Sequence, residues 1–146
     1  MTSEQNFEQI VAGILNRHPN SPLAERWGEA RASDPSPVPI AFWIRESEDL
    51  VNVVWLTQQD IRDITWLPGY DLSTFHLLRL SAITSLETRQ APEAAQSLGY
   101  ASVSGDYLTY VHTPSERGGL VWIASKDAEN IARLRNFVSE VVKRIP

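Results

Sequence analysis

The sequence predicts an α+β fold: a bent antiparallel barrel or half-barrel of six or seven strands, capped by a C-terminal helix and preceded by an N-terminal helix. Three observations predict it. Tyr107-Leu-Thr-Tyr-Val-His112 and Leu120-Val-Trp-Ile-Ala124 read as two strands around a Gly118-Gly119 turn. An amphipathic helix follows from about Asp127 to Ile145, with Ile131, Leu134, Val138, Val141 and Ile145 recurring every three or four residues. Between Ile40 and Arg89 strand signals follow one another, and the alternation of Phe75–Arg89 slips once in phase, as a curved sheet requires.

The first element is helical. Phe7, Ile10, Val11, Ile14 and Leu15 form one apolar stripe at i, i+3, i+4, i+7 and i+8. Thr2 and Gln5 have capping-box spacing, with Ser3 as a rival N-cap. Arg17 and His18 close the last turn, where positive charge suits the helix dipole, and Pro19 stops it.

Residues 19–39 hold five of the nine prolines: Pro19, Pro22, Pro35, Pro37 and Pro39. Leu23 to Trp27 is read as one helical turn, and Gly28 to Pro39 as a linker or long surface loop. Trp27, the one large aromatic there, would pin this arm to the body. The chain therefore divides into an N-terminal helix with a proline-rich arm, residues 1–39, and a barrel with its helix, residues 40–146.

Strand signals follow in order. Ile40, Phe42 and Ile44 alternate with Ala41, Trp43 and Arg45. Val51 to Thr57 is rich in β-branched and aromatic residues. Ile61 to Leu67 is a third strand, ended by Pro68-Gly69. Phe75 to Arg89 alternates through His76, Leu78 and Leu80, slips near Ser81-Ala82 and resumes at Ile83. Pro92 to Leu98 suits a short helix with Pro92 at its first position. In the last helix Phe137 and Val142 widen the stripe, with acids Asp127 and Glu129 first and Lys143 and Arg144 last.

The pieces Ile61-Arg-Asp-Ile-Thr-Trp-Leu67, Phe75-His-Leu-Leu-Arg-Leu-Ser-Ala-Ile-Thr-Ser-Leu-Glu87, Gly105-Asp-Tyr-Leu-Thr-Tyr110 and Trp122-Ile-Ala-Ser-Lys-Asp-Ala128 resemble the bacterial pleckstrin-homology-like domain. The resemblance covers residues 40–146 and implies a strongly bent barrel with one open end plugged by the terminal helix. The best-known members of that fold class bind phosphoinositides through Lys and Arg beside the first strand–strand loop. Here that loop is Arg45-Glu46-Ser47-Glu48-Asp49, with three acids against one base. Such a loop repels a phosphorylated headgroup.

Composition excludes other classes. The net charge is −5, and no basic aromatic stripe is present, so nucleic acid is not an expected partner. Cysteine is absent, which removes disulfides, thiolate metal sites and thiol nucleophiles. His18, His76 and His112 lack the spacing of a helical zinc site, and Glu46, Glu48 and Asp49 lack a calcium loop's ordered oxygens. No metal or cofactor is expected. Met1-Thr-Ser-Glu-Gln-Asn has no basic or apolar leader character, and no run of about 18 apolar residues exists. A cytoplasmic protein is expected.

No motif names a reaction. There is no GxGxxG or Walker loop, and Ser104-Gly105-Asp106 reads as a turn. Asp60 and Asp63 are read either as a carboxylate pair for acid/base work or as exposed edge acids that discourage strand pairing. Of the five tryptophans, Trp43, Trp55, Trp66 and Trp122 lie in predicted strands. They either fill the barrel or line a patch for a partner. The best patch residues are Trp43 and Arg45, which share a face, and then Trp66 and Tyr70 beside the Pro68-Gly69 turn.

The expectation is a non-enzymatic adaptor binding a protein or peptide, by strand addition or through such a patch. The Phe7–Leu15 stripe would cover the patch within the chain or dock a second copy, making a homodimer. The alternative is a small acidic dimeric chaperone of the secretion-chaperone type. A third reading places a ligand or catalytic pocket around His76 or His112.

Overall fold

Two antiparallel sheets carry the chain, four-stranded and three-stranded. The computed structural model describes residues 3–34, 38–89, 107–114 and 120–146, with side chains from Phe7 onward. The expected cap at Thr2, the helix at Pro92–Leu98 and the turns at Ser104–Asp106 and Gly118–Gly119 lie outside the described residues. The elements are α1 (Ser3–Arg17), α2 (Leu23–Ser33), β1 (Ala41–Glu46), β2 (Val51–Leu56), β3 (Asp60–Leu67), β4 (Leu72–Arg79), β5 (Ser85–Arg89), β6 (Tyr107–His112), β7 (Leu120–Ala124) and α3 (Ala128–Val142). The fold is α+β, with seven strands among the described residues.

Two compact units divide between Leu77 and Leu78, inside β4, rather than at residues 39 and 40. The reason is the packing of the N-terminal segment. Phe7, Val11 and Ile14 of α1, and Leu23, Trp27 and Ala30 of α2, form one core with Val51, Val53, Trp55 and Ile64. Helices α1 and α2 are therefore part of the first sheet's core and not an arm.

Strand pairing explains which side chains meet these helices. Phe42, Trp55 and Arg62 form one cross-strand row, Ile44, Val53 and Ile64 the next, and Glu46, Val51 and Trp66 the third. Side chains on alternate positions share a face. The ring of Phe7 lies 5.1, 5.4 and 5.9 Å from those of Phe42, Trp55 and Trp27. Ile10 sits at the margin of the α1 stripe and is exposed.

Gly28 to Ser33 corrects the linker reading. The helix that begins at Leu23 runs through Gly28 to Ser33. Leu23, Trp27 and Ala30 recur every three or four residues and bury together. Gly28 costs about 1 kcal/mol against alanine in a helix interior, which burying Leu23 and Trp27 outweighs.

Two short turns set the first three strands. Ser47 donates its backbone N–H to the Leu50 carbonyl (2.9 Å), and its hydroxyl oxygen accepts from Leu50 N–H. Thr57 does the same with Asp60: its N–H donates to the Asp60 carbonyl (2.9 Å), and its hydroxyl oxygen accepts from Asp60 N–H. A 3-10 turn over Pro68–Tyr70 leads from β3 into β4, closed by Asp71 in the left-handed region at φ 50°. Asp tolerates that region better than most residues.

The phase slip near Ser81 is a second 3-10 turn, Leu80–Ala82, which divides the long alternating segment into β4 and β5. In the second unit β6 lies between β5 and β7. Helix α3 follows β7 and buries Ile131, Leu134, Phe137, Val138 and Val141. Phe137 meets Trp122 of β7 edge-on, with ring centres 5.4 Å apart. Asp127 caps the helix, accepting the Glu129 N–H at 3.2 Å. The helix ends at Val142, so Val142 is exposed and Ile145 lies beyond the helix. Among the described residues, no helix is long and apolar enough to cross a membrane.

Candidate functional site

The four residues proposed for a binding patch do not form one. Trp43 and Arg45 share a face of β1, as alternation requires, but they are 1% and 6% exposed. They share the side of the sheet that carries Asn52 and Asp63, since Trp43 is opposite Val54 and Arg45 opposite Asn52. All six residues of β2 are buried, so both its faces are covered. Alternation in one strand says which residues share a face; it does not say whether that face meets water. Trp66 lies on the other face, half-buried, with its ring 5.5 Å from that of His18. Tyr70 is exposed in the turn after β3.

Asp60 and Asp63 are also reassigned. Both are buried rather than exposed at an edge, because β3 is an inner strand between β2 and β4. They belong to opposite faces of β3. Asp60 accepts from the Thr57 hydroxyl at 2.7 Å and pairs with Arg62 Nε at 3.2 Å. Arg62 in turn donates to the Ser33 hydroxyl at 2.9 Å, tying the end of α2 to the sheet. Asp63 accepts from the Thr65 hydroxyl at 2.6 Å and from Asn52 Nδ2 at 3.2 Å. Asn52 Nδ2 also donates to the Ile64 carbonyl at 3.0 Å. Each carboxylate is satisfied by structural hydrogen bonds, which a buried charge needs.

The acidic loop is less free than its composition suggests. Arg17 donates Nε to Glu46 Oε2 at 2.9 Å and Nη2 to Oε1 at 2.7 Å, while His18 Nε2 lies 2.8 Å from Oε2. The end of α1 is thereby fixed to the end of β1. The hydrogen bonds from Arg17 hold the Glu46 carboxyl below the usual carboxylate range; partial burial opposes this, and His18 adds to the lowering. Glu48 and Asp49 remain exposed. No sequence signal marked this cluster, because its members are separated by 28 and 29 residues.

The histidines stand in three settings. His18 is part of that cluster, and His76 is exposed on β4. His112 stacks on Tyr110, with ring centres 5.3 Å apart and planes at 16°, and lies 3.5 Å from Glu87. Glu87 also bonds Arg89 at 2.6 Å. Among the described residues, no three His, Asp or Glu side chains are grouped to hold a metal ion.

The most exposed apolar stretch of the first unit begins just after Trp66. Tyr70, Leu72 and Leu77 are 53%, 47% and 43% exposed. They lie on or beside β4, an edge strand of the four-stranded sheet among the described residues. Leu72-Ser-Thr-Phe-His-Leu-Leu-Arg79 has no acid, proline or glycine and a single formal charge at its end. Edge strands are ordinarily guarded by such residues. The other edge, β1, follows Pro39 and ends in the Glu46 cluster; β5 carries the Glu87–Arg89 pair. The sequence did not mark β4 as an edge, because strand order is not a local property.

No family model, curated protein or solved structure matches this chain.

Proposed function

We propose that the chain is a non-enzymatic adaptor of the pleckstrin-homology-like kind, which binds a protein partner by accepting an extended peptide as an added strand along β4. The observation that carries this reading is the unguarded edge: eight residues without acid, proline or glycine, bearing exposed Leu72 and Leu77 and following exposed Tyr70. Backbone N–H and C=O groups of such an edge supply affinity, and alternate side chains supply selectivity.

Two further observations support it. The base in the first strand–strand loop, Arg45, is buried, while Glu48 and Asp49 face solvent, which disfavours a phosphoinositide headgroup there. The apolar stripe of α1 is packed on the chain's own sheet, which leaves the secretion-chaperone alternative without its dimerisation helix.

The test is selection from a phage-displayed library of random linear peptides, followed by titration of the enriched peptides into labelled protein. Amide shifts should concentrate on β4, and the double variant Leu72→Lys, Leu77→Lys should bind at least about tenfold more weakly. Failure to enrich any peptide, or shifts that leave β4 unmoved, overturns the reading.

A further inference from the structure

We draw no further inference here: the strongest candidate, the side-chain cluster of Arg89, Tyr110 and His112 on β5 and β6 of the three-stranded sheet, is tied together by Glu87 and nothing in the structure shows what covers it.

Discussion

The two units cover their sheets with helix in different ways. In the first, α1 and α2 precede the sheet and reach it across long stretches of chain. Phe7 meets Phe42 and Trp55, Ser33 meets Arg62, and Arg17 meets Glu46. In the second, α3 directly follows the strand that it touches, and Phe137 meets Trp122. The first cover combines an aromatic cluster with polar ties at the ends of both helices. The second has one apolar stripe, an edge-on ring pair, an N-cap and the Arg135 guanidinium of α3 lying 5.1 Å from the Tyr107 ring centre of β6. A cover formed at long range needs specific anchors to select its seat, whereas a helix adjoining its strand is placed largely by its own stripe.

The largest test of that contrast is removal of the central ring in each cover. Trp55→Ala and Phe137→Ala should each cost about 3–5 kcal/mol, read as a lower urea midpoint at unchanged slope. A loss under about 1 kcal/mol at either position would mean that the corresponding cover contributes little.

Local helix chemistry comes next. Gly28→Ala should stabilise by up to about 1 kcal/mol, because nothing lies within 4 Å of the added carbon in an established helix. Gly13→Ala should give less, since its added carbon would lie 3.1 Å from Nη1 of the Arg17 guanidinium, whose Nε and Nη2 hold Glu46. Asp127→Ala should cost about 1 kcal/mol through loss of the α3 cap. Thermal melts of the three variants rank them, and a Gly13→Ala gain matching that of Gly28→Ala would show that Arg17 moves aside freely.

The smallest expected effect is that of Glu46→Gln, about 0.5–1 kcal/mol near neutral pH, because the cluster is partly exposed. Its pH dependence carries a definite sign. The folded-state pKa of Glu46 is lowered, so its contribution is present above the ordinary carboxylate value of about 4.3. The contribution is lost as pH falls through the lower folded value. Parent and variant stabilities should therefore converge in acid. A difference that persists once Glu46 is protonated in the folded state would show that it acts through packing rather than charge.

Much of the fold was legible because it is local. Alternation placed β1, β-branched and aromatic composition placed β2, and the Pro68-Gly69 stop ended β3, each to within a residue or so, and the slip near Ser81 located the 3-10 turn at Leu80–Ala82. The α3 stripe was legible for the same reason, whereas Asp127, read as a first-turn acid, is the residue that caps the helix. Gly28 and the following prolines obscured α2, because helix-breaking propensity was weighed without the sheet that Trp27 and Ala30 bury against. The proposed patch was less legible still. Trp43 and Arg45 were correctly put on one face, but burial of that face is invisible from β1 alone.

The sequence by itself determined the period of each element, the placement of most strands and helices, and the unusual composition of the segment from Leu72 to Arg79. Those properties depend on neighbours a few residues away. Tertiary structure alone decided that the Phe7 and Trp27 stripes share one core, that Asp60 and Asp63 are buried, that Glu46 is held by Arg17 and His18, and that β4 lies at an edge of its sheet among the described residues. Each of these depends on which distant strand or helix lies alongside, and a one-dimensional pattern carries no record of that.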